Sequence, residues 1–320
     1  MIRTAEYCRI GHVDRVCNII ADGILDECLK QDPNTRSAIE VFGCHGVINV
    51  GGELTTKAII SVSTIVKNIY KEIGYRDEMK VIVNIAHQSP EICVLANEGA
   101  GDSGVVTGYA TNETPDFLPL EVYLAKRVAD ALDDTNVKWL LPDGKVQITL
   151  STETKKVTNV VISYQCNEEK DAFVRELAGI ILGEYIDDST KWILVPFEKG
   201  GFDADTGLTG RKNVLWYGPR VPVGGGSFAG KDATKVDRSG AYLARSIAVT
   251  EIRQGHKEVF VEIAYAIGEK DALYVKVNGV IVNSQINNVE QAIKALNLKE
   301  PVFKEASIRG HFGYDSNWEK

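Results

Sequence analysis

The chain has 320 residues, 44% of them hydrophobic, which is enough for a buried core and two or three domains. Its formal net charge is −8, so the surface as a whole repels nucleic acid and anionic membrane, and any basic cluster on it is local. No apolar run approaches the about 18–20 residues of a membrane span. The opening MIRTAEYCRIGHVDR lacks the apolar stretch of a secretory signal. Cys8, Cys17, Cys28, Cys44, Cys93 and Cys166 form no CxxC pair and have no metal-ligand spacing. The expectation is a cytoplasmic protein with reduced, mostly buried thiols and neither nucleic acid nor membrane as partner.

After Gly11–Arg15, apolar positions at Val16, Ile19, Ile20, Ile24 and Leu25 predict a helix over 16–30. Asp32-Pro33-Asn34 ends it as a turn. Residues 37–42 and 46–50 read as strands, Gly51-Gly52 as a break, and 55–70 as a helix with Ile59, Ile60, Val62, Ile65, Val66 and Ile69 on one stripe. KVIVNIA (80–86) alternates like a strand. Further on, 119–132 and 171–186 read as helices, 145–150 and 157–165 as paired strands, and 191–195 as a strand. The last third gives a helix over 239–249, strands over 258–267 and 273–277, and a short helix over 289–296. Strands mixed with helices in each third suggest three related α/β modules. The glycine-rich stretches around 97–104 and 199–207 divide the chain into domains over 1–96, 97–200 and 201–320.

Two later runs carry chemistry. GLTGRK (207–212) combines bare backbone with Arg211 and Lys212, so amides and cations can both approach an anion. It is not the nucleotide-binding P-loop, because the glycine–lysine spacing differs and no Lys-Ser/Thr pair follows. GGGSFAGKDATKVDR (224–238) places Lys231, Lys235 and Asp237 behind three glycines. Cations of this kind neutralise a polyphosphate, and a carboxylate such as Asp237 can hold Mg²⁺ bridging its oxygens. The alternative for either run is a solvated surface turn. Gly11-His12-Val13-Asp14-Arg15 is a third cluster, with an imidazole at a helix start where an anion is favoured.

These strings, with AIEVFG, GGELTT, QSPEI, GAGDSGVVTGYATNET, LPDGKVQIT, IAYAIG and GHFGY in the same order, resemble the methionine adenosyltransferase (S-adenosylmethionine synthetase) family over nearly the whole chain. The resemblance implies an α/β (α+β) fold of three pseudo-repeated domains, sheets packed inward and helices outside. It also implies a homodimer or homotetramer whose active sites are shared between subunits. The family joins ATP and L-methionine by attack of the methionine sulfur on the ribose C5′, and cleaves the released triphosphate to diphosphate and phosphate. Residue by residue, His12 would contact the triphosphate near its bridging oxygen. Asp14 and Asp237 would bind a pair of Mg²⁺ ions, and Glu40 would serve a K⁺ site. Lys145, Arg211, Lys212, Lys231 and Lys235 would surround the phosphates, Lys235 reaching methionine as well. Glu53, Gln88 and Asp205 would seat methionine, with Asp102 at its junction with adenosine. Phe197 would stack on adenine, and Asp143 and Ser227 would contact the nucleotide, as would Asp205.

Several positions depart from the family pattern. His-Pro-Asp-Lys is here His12-Val13-Asp14-Arg15, GAGDQG is GAGDSG with Ser103, and Pro196 stands where an arginine precedes the adenine-stacking aromatic. The segment between Gln88 and Gly99, which gates the site in the family, is shortened. A tripolyphosphatase or ATP hydrolase, and a non-catalytic ATP-binding homologue, are the competing readings. Retention of Glu53, Gln88 and Asp205 weighs against a pure phosphatase, which needs none of them.

Overall fold

The computed structural model describes residues 1–87, 99–219, 221–224 and 226–320. In chain order the first third holds β1 (Ile2–Cys8), α1 (Val13–Leu29), β2 (Arg36–Cys44), β3 (Val47–Thr55), α2 (Val62–Ile73) and β4 (Lys80–Ala86). The middle holds β5 (Gly104–Thr111), α3 (Leu120–Asp133), β6 (Leu140–Ser151), β7 (Val157–Cys166), α4 (Asp171–Leu182) and β8 (Lys191–Phe197). The last third holds β9 (Gly207–Leu208), α5 (Val236–Arg253), β10 (Glu258–Tyr265), β11 (Tyr274–Val277), β12 (Val280–Val282), α6 (Val289–Ala295) and α7 (Phe303–Arg309).

The strands form three four-stranded sheets, ordered β9-β2-β3-β4, β1-β6-β7-β8 and β5-β10-β11-β12. In the first two, a hairpin is followed by an outer helix and a parallel third strand: β3 with β4 across α2, and β7 with β8 across α4. A parallel return needs such a crossover. The third sheet replaces it with the tight turn at Asn278-Gly279, both at positive φ, so β12 runs antiparallel.

Each sheet is completed by a strand from elsewhere in the chain. β1 adds antiparallel to β6, β5 to β10, and β9 to β2. Each visiting strand precedes a central helix, α1, α3 or α5, so the three repeats interlock in a ring. The α/β class and the three related units match the sequence-based expectation. Within one chain the central helices lie inside: every residue of α1 except Glu27 is buried, and α5 is buried along most of its length. Helices α2 and α4 are amphipathic outer helices, burying Val66, Ile69 and Tyr70 in one and Val174, Ala178 and Leu182 in the other. The sheets keep an open face with exposed apolar side chains, among them Phe42, Ile82, Val105, Ile193 and Val195.

Some local expectations also change. Helix α2 starts at Val62 rather than near Thr55, and Ile59 is 91% exposed. β3 runs straight through Gly51-Gly52. Gly52 sits at φ +115°, where a Cβ would come within 2.1 Å of the Ala38 carbonyl oxygen, so the glycine serves close strand approach rather than a break. No helix among the described residues is long and apolar enough to cross a membrane.

Candidate active site

The start of α1 is fixed by the beginning of β6. Gly11 N donates to Pro142 O at 3.0 Å and Arg9 N to Gly144 O at 2.9 Å, while the Tyr75 hydroxyl donates to Gly11 O at 2.5 Å. His12 is thereby placed as the N-cap residue of α1, its Nδ1 accepting from Asp14 N at 3.2 Å. That bond puts the proton of the neutral ring on Nε2. Burial, with the charge of Lys212 adding to it, lowers the imidazole to about 4, so His12 is neutral near pH 7 and offers a donor.

Asp14, in the first turn of α1, is completely buried. Pairing of β9 with β2 (Phe42 opposite Leu208, Gly43 opposite Gly207) brings the loop 207–212 onto it. Asp14 Oδ1 accepts from Leu208 N at 2.9 Å and Arg211 Nε at 2.8 Å, and Oδ2 from Lys212 Nζ at 2.6 Å. Burial alone would raise this carboxyl, but the hydrogen bonds from Lys212, Leu208 N and Arg211 outweigh it and hold it below the usual carboxylate range. Asn18, one turn on, accepts from Gly210 N at 2.9 Å. The composition of the run did not single out Asn18; its helical spacing from Asp14 is the signal that could have.

Around this centre lie several of the expected residues. Lys145 stands in β6 opposite Cys8 and forms an ion pair with Glu6 at 3.1 Å. Burial lowers its ammonium, but Glu6 overrides this and leaves it raised. Asp143 accepts from Gly144 N at 2.7 Å and Gly201 N at 2.8 Å, and its carboxyl is nonetheless raised by burial. Asp205 is exposed, at the end of the turn that Gly201 opens, and its charge acts on both His12 and Asp143. Phe197 ends β8 and lines an open cavity of about 220 Å³ with Pro196, Cys166 and Glu198.

A second centre forms at the start of α5. Asp237, in its first turn, pairs with Lys231, and the Asp237 side chain is 12% exposed. Gly226, at φ +85°, lies so close to that carboxylate that a Cβ would meet it at 2.2 Å, so only glycine lets the loop pass. Lys235 is buried, its Nζ 3.0 Å from Asp232, which also accepts from Ser37 N. Ser227 Oγ is buried without a hydrogen-bond partner among the described residues, beside Gly210 of the first loop. Asn213 Nδ2 donates to Gly226 O at 2.9 Å, tying the two loops together.

The remaining described residues flank the two centres: Glu40 through the loop of Asp14, Glu53 and Asp102 on the side of Lys231 and Asp237. Glu40, on β2, is exposed and takes the Thr209 hydroxyl. Glu53 is half-buried on β3, opposite Ala38. Asp102 is exposed just ahead of β5 and caps Ser103 N at 2.7 Å. Gln88 and the shortened segment 90–98 lie outside the described residues. Arg15 points away from the site: its guanidinium donates to Cys8 O and Ile308 O, each at 2.6 Å, and is buried. The GHFGY motif is core as well, with His311 buried against Trp216 and Tyr242.

No group of three or more His, Cys, Asp or Glu side chains able to hold a metal occurs among the described residues. The donor set instead offers single carboxylates flanked by phosphate-seeking cations. Mg²⁺ is ordinarily held that way, by one or two carboxylates together with substrate phosphates, so the residues fit it.

Three family models match in sequence order: the S-adenosylmethionine synthetase N-terminal domain over residues 1–90, the central domain over 97–198 and the C-terminal domain over 199–320. The S-adenosylmethionine synthase of Brachyspira hyodysenteriae is 36% identical, the alignment covering 99% of this chain and 95% of that protein. The S-adenosylmethionine synthase of Clostridium tetani is 34% identical, over 97% of this chain and 93% of its own. With all three domain models in order along a chain that carries both ion-paired aspartate centres, the protein belongs to the S-adenosylmethionine synthetase family, the methionine adenosyltransferases.

Proposed function

We propose that this chain makes S-adenosylmethionine from ATP and L-methionine and cleaves the displaced triphosphate to phosphate and diphosphate. The observation that carries the reading is the pair of carboxylates Asp14 and Asp237, each in the first turn of a central helix and each paired to loop cations. In the first step the methionine sulfur forms a bond to C5′ while the C5′–oxygen bond breaks, and its electron pair leaves with the triphosphate. Charge therefore develops at the bridging oxygen and spreads over the phosphates. Arg211, Lys212, Lys145, Lys231 and Lys235 would surround that charge as fixed cations. The neutral imidazole of His12 donates from Nε2 to the leaving oxygen without adding a positive charge that the neighbouring lysines would oppose. Asp14 and Asp237 would hold Mg²⁺, which would supply positive charge to offset that of the leaving triphosphate.

Glu53, Asp205, Asp102 and Gln88 are assigned to methionine. Phe197 is assigned to adenine, Asp143 and Ser227 to the nucleotide, and Glu40 to K⁺. The orphaned hydroxyl of Ser227 supports its part, since a buried unpaired polar group calls for a partner. We take 1–96, 97–200 and 201–320 as the domains and the open apolar sheet faces as the surfaces that join subunits, because exposed patches of this kind mark association sites. Glu53, opposite Ala38, which bridges to Lys231, and Asp102, two residues before Gly104 beside Asp237, then go with the Lys231–Asp237 pair in a site shared between subunits. The test is purified protein with ATP, methionine, Mg²⁺ and K⁺, following S-adenosylmethionine and phosphate separately. Phosphate without S-adenosylmethionine would overturn the reading in favour of a hydrolase, and neither product would favour a non-catalytic homologue.

A further inference from the structure

Leu141, Pro142 and Asp143 stand near the start of β6 but have no register partner on β7, where the pairing jumps from Leu140 opposite Cys166 to Gly144 opposite Tyr164. An irregular strand start of this kind re-aims side chains and leaves backbone carbonyls to be satisfied elsewhere. Residues 9–11 satisfy them here. Arg9 N donates to Gly144 O and Gly11 N to Pro142 O, while Arg9 Nη1 donates to Leu141 O at 2.7 Å and to Asp143 O at 3.2 Å. The carbonyls of 141–144 are thus all taken by one short stretch, and those of Leu141 and Asp143 by one side chain.

That side chain is held in turn by Asp133, the last residue of α3. Arg9 Nε donates to Asp133 Oδ1 at 2.8 Å, and Asp133 Oδ2 accepts from Ile10 N at 2.9 Å. The Arg9 side chain is 3% exposed and that of Asp133 14%. One carboxylate therefore grips the guanidinium of Arg9 and the backbone of Ile10, just ahead of His12. On the far side, the Asp143 carboxylate takes Gly201 N, where the turn leading to Asp205 opens. The junction leaves no room for drift: a Cβ on Gly11 would lie 2.5 Å from the Pro142 carbonyl carbon.

We infer that Arg9 and Asp133 are positioning residues, which align His12 at the head of α1 with Asp143 at the irregular start of β6, so that both address the same ATP. This rests on the reading of the site given above. Every group in the arrangement belongs to one chain and one junction, so it holds whichever subunit supplies the rest of the site. A buried ion pair adds little stability over a well-packed apolar pair. A guanidinium fork, unlike an ammonium, reaches a carboxylate and two carbonyls in fixed directions. The role that suits the pair is therefore alignment.

The test uses the full chain with Arg9→Lys, which keeps a charge beside Asp133 but loses the fork, and with the double variant Arg9→Met/Asp133→Leu, which removes both charges. Thermal melting, kcat, KM for methionine, and calorimetric affinity for a non-hydrolysable ATP analogue with Mg²⁺ are measured on the same samples. The expected result is a folded protein whose analogue affinity and kcat each fall about 10- to 100-fold, while KM for methionine changes by less than about threefold. Arg9→Lys should melt close to wild type and still not recover kcat. Folded variants with unchanged analogue affinity and kcat overturn the inference. So does a loss of activity that only tracks the folded fraction, or failure of both variants to fold, because the pair is then simply structural. Wild-type protein that binds the analogue but forms no S-adenosylmethionine would sink the synthetase reading alone, leaving the analogue affinities to decide the positioning role.

Discussion

The two carboxylate centres solve the same problem differently. Asp14 is completely buried and held by a backbone amide and two cations, all delivered by a loop that strand pairing fixes to the sheet. Asp237 pairs with Lys231 among the described residues, its side chain is 12% exposed, and its loop depends on glycine at 226 for passage. A carboxylate set by strand register is part of the fold. One set by a lysine and a glycine loop is adjustable. Asp14 should therefore couple function to stability, and Asp237 should separate them.

Asparagine at each position gives the largest expected effect. Both Asp14→Asn and Asp237→Asn should lower S-adenosylmethionine formation at saturating Mg²⁺ by about a thousandfold or more, the scale of several kcal/mol of lost charge stabilisation. Only Asp14→Asn should also lower the unfolding free energy in urea, by about 1–3 kcal/mol, because it leaves buried donors without their anion. Equal stability losses in the two variants would erase the contrast, and near-wild-type turnover in either would remove that residue from the metal site.

Lysine replacements come next. Lys231→Met and Lys235→Met should each cost about a hundredfold in kcat, as the loss of an oxyanion-type donor does. Lys231→Met should leave the melting temperature nearly unchanged. Lys235→Met should lower it, since Lys235 is buried against Asp232. A collapse of folding in Lys231→Met with full activity in the folded remainder would return that loop to an ordinary surface turn.

The contrast should also appear between subunits. If His12 and Asp14 serve a site with the partner's copy of the Asp237 loop, a mixture of His12→Ala and Lys231→Ala chains recovers about a quarter of wild-type activity through hybrid dimers, each holding one intact site. Subunit exchange shown by mass spectrometry with no recovery would confine each site to one chain.

The smallest effects are on pH dependence, and the two ends of α1 should pull in opposite directions. His12 is lowered to about 4 by burial and Lys212, so its contribution to stability is lost as pH falls from near 6.5 through 4. Asp26 is raised to about 7 by burial, despite the amides of Lys304 and Phe303. It holds its proton longer in the folded state, so its contribution is lost as pH rises from about 4 towards 7. Urea unfolding at pH 5 and pH 7 should show Asp26→Asn removing the second slope and His12→Ala the first, each by at most about 1.4 kcal/mol per pH unit. Slopes unchanged by either variant would mean that other groups set the profile.

Much of this was legible in the sequence because the chemistry is local. GLTGRK, GKDATKVDR and GHVDR name their cations and carboxylates outright, and helical spacing predicted α1 and the outer helices. What escaped was set by distant partners. β1 and β5 carry no periodicity that separates them from loop, and they are strands because β6 and β10 offer them edges. Residues 51–52 read as a break because glycine lowers strand propensity, yet contact with Ala38 requires it. Arg15 matches a site motif but faces carbonyls of the C-terminal helix. Asn18 gains meaning only once α1 meets a loop far along the chain, and Arg9 only once it meets Asp133, as the separations of 192 and 124 residues show.

The ring of exchanged strands also constrains the order in which a nascent chain can be finished. The sheet built from β2, β3 and β4 emerges from the ribosome early, but its fourth strand, β9, is not synthesised until residues 207–208. The second sheet needs its visiting strand β1 from the very N-terminus, which must be held unpaired until β6 appears at residue 140. Non-local pairing of this kind folds slowly and leaves strand edges open meanwhile. A ribosome stalled near residue 200 would therefore display a chain with an unpaired β2 edge, a natural target for a chaperone.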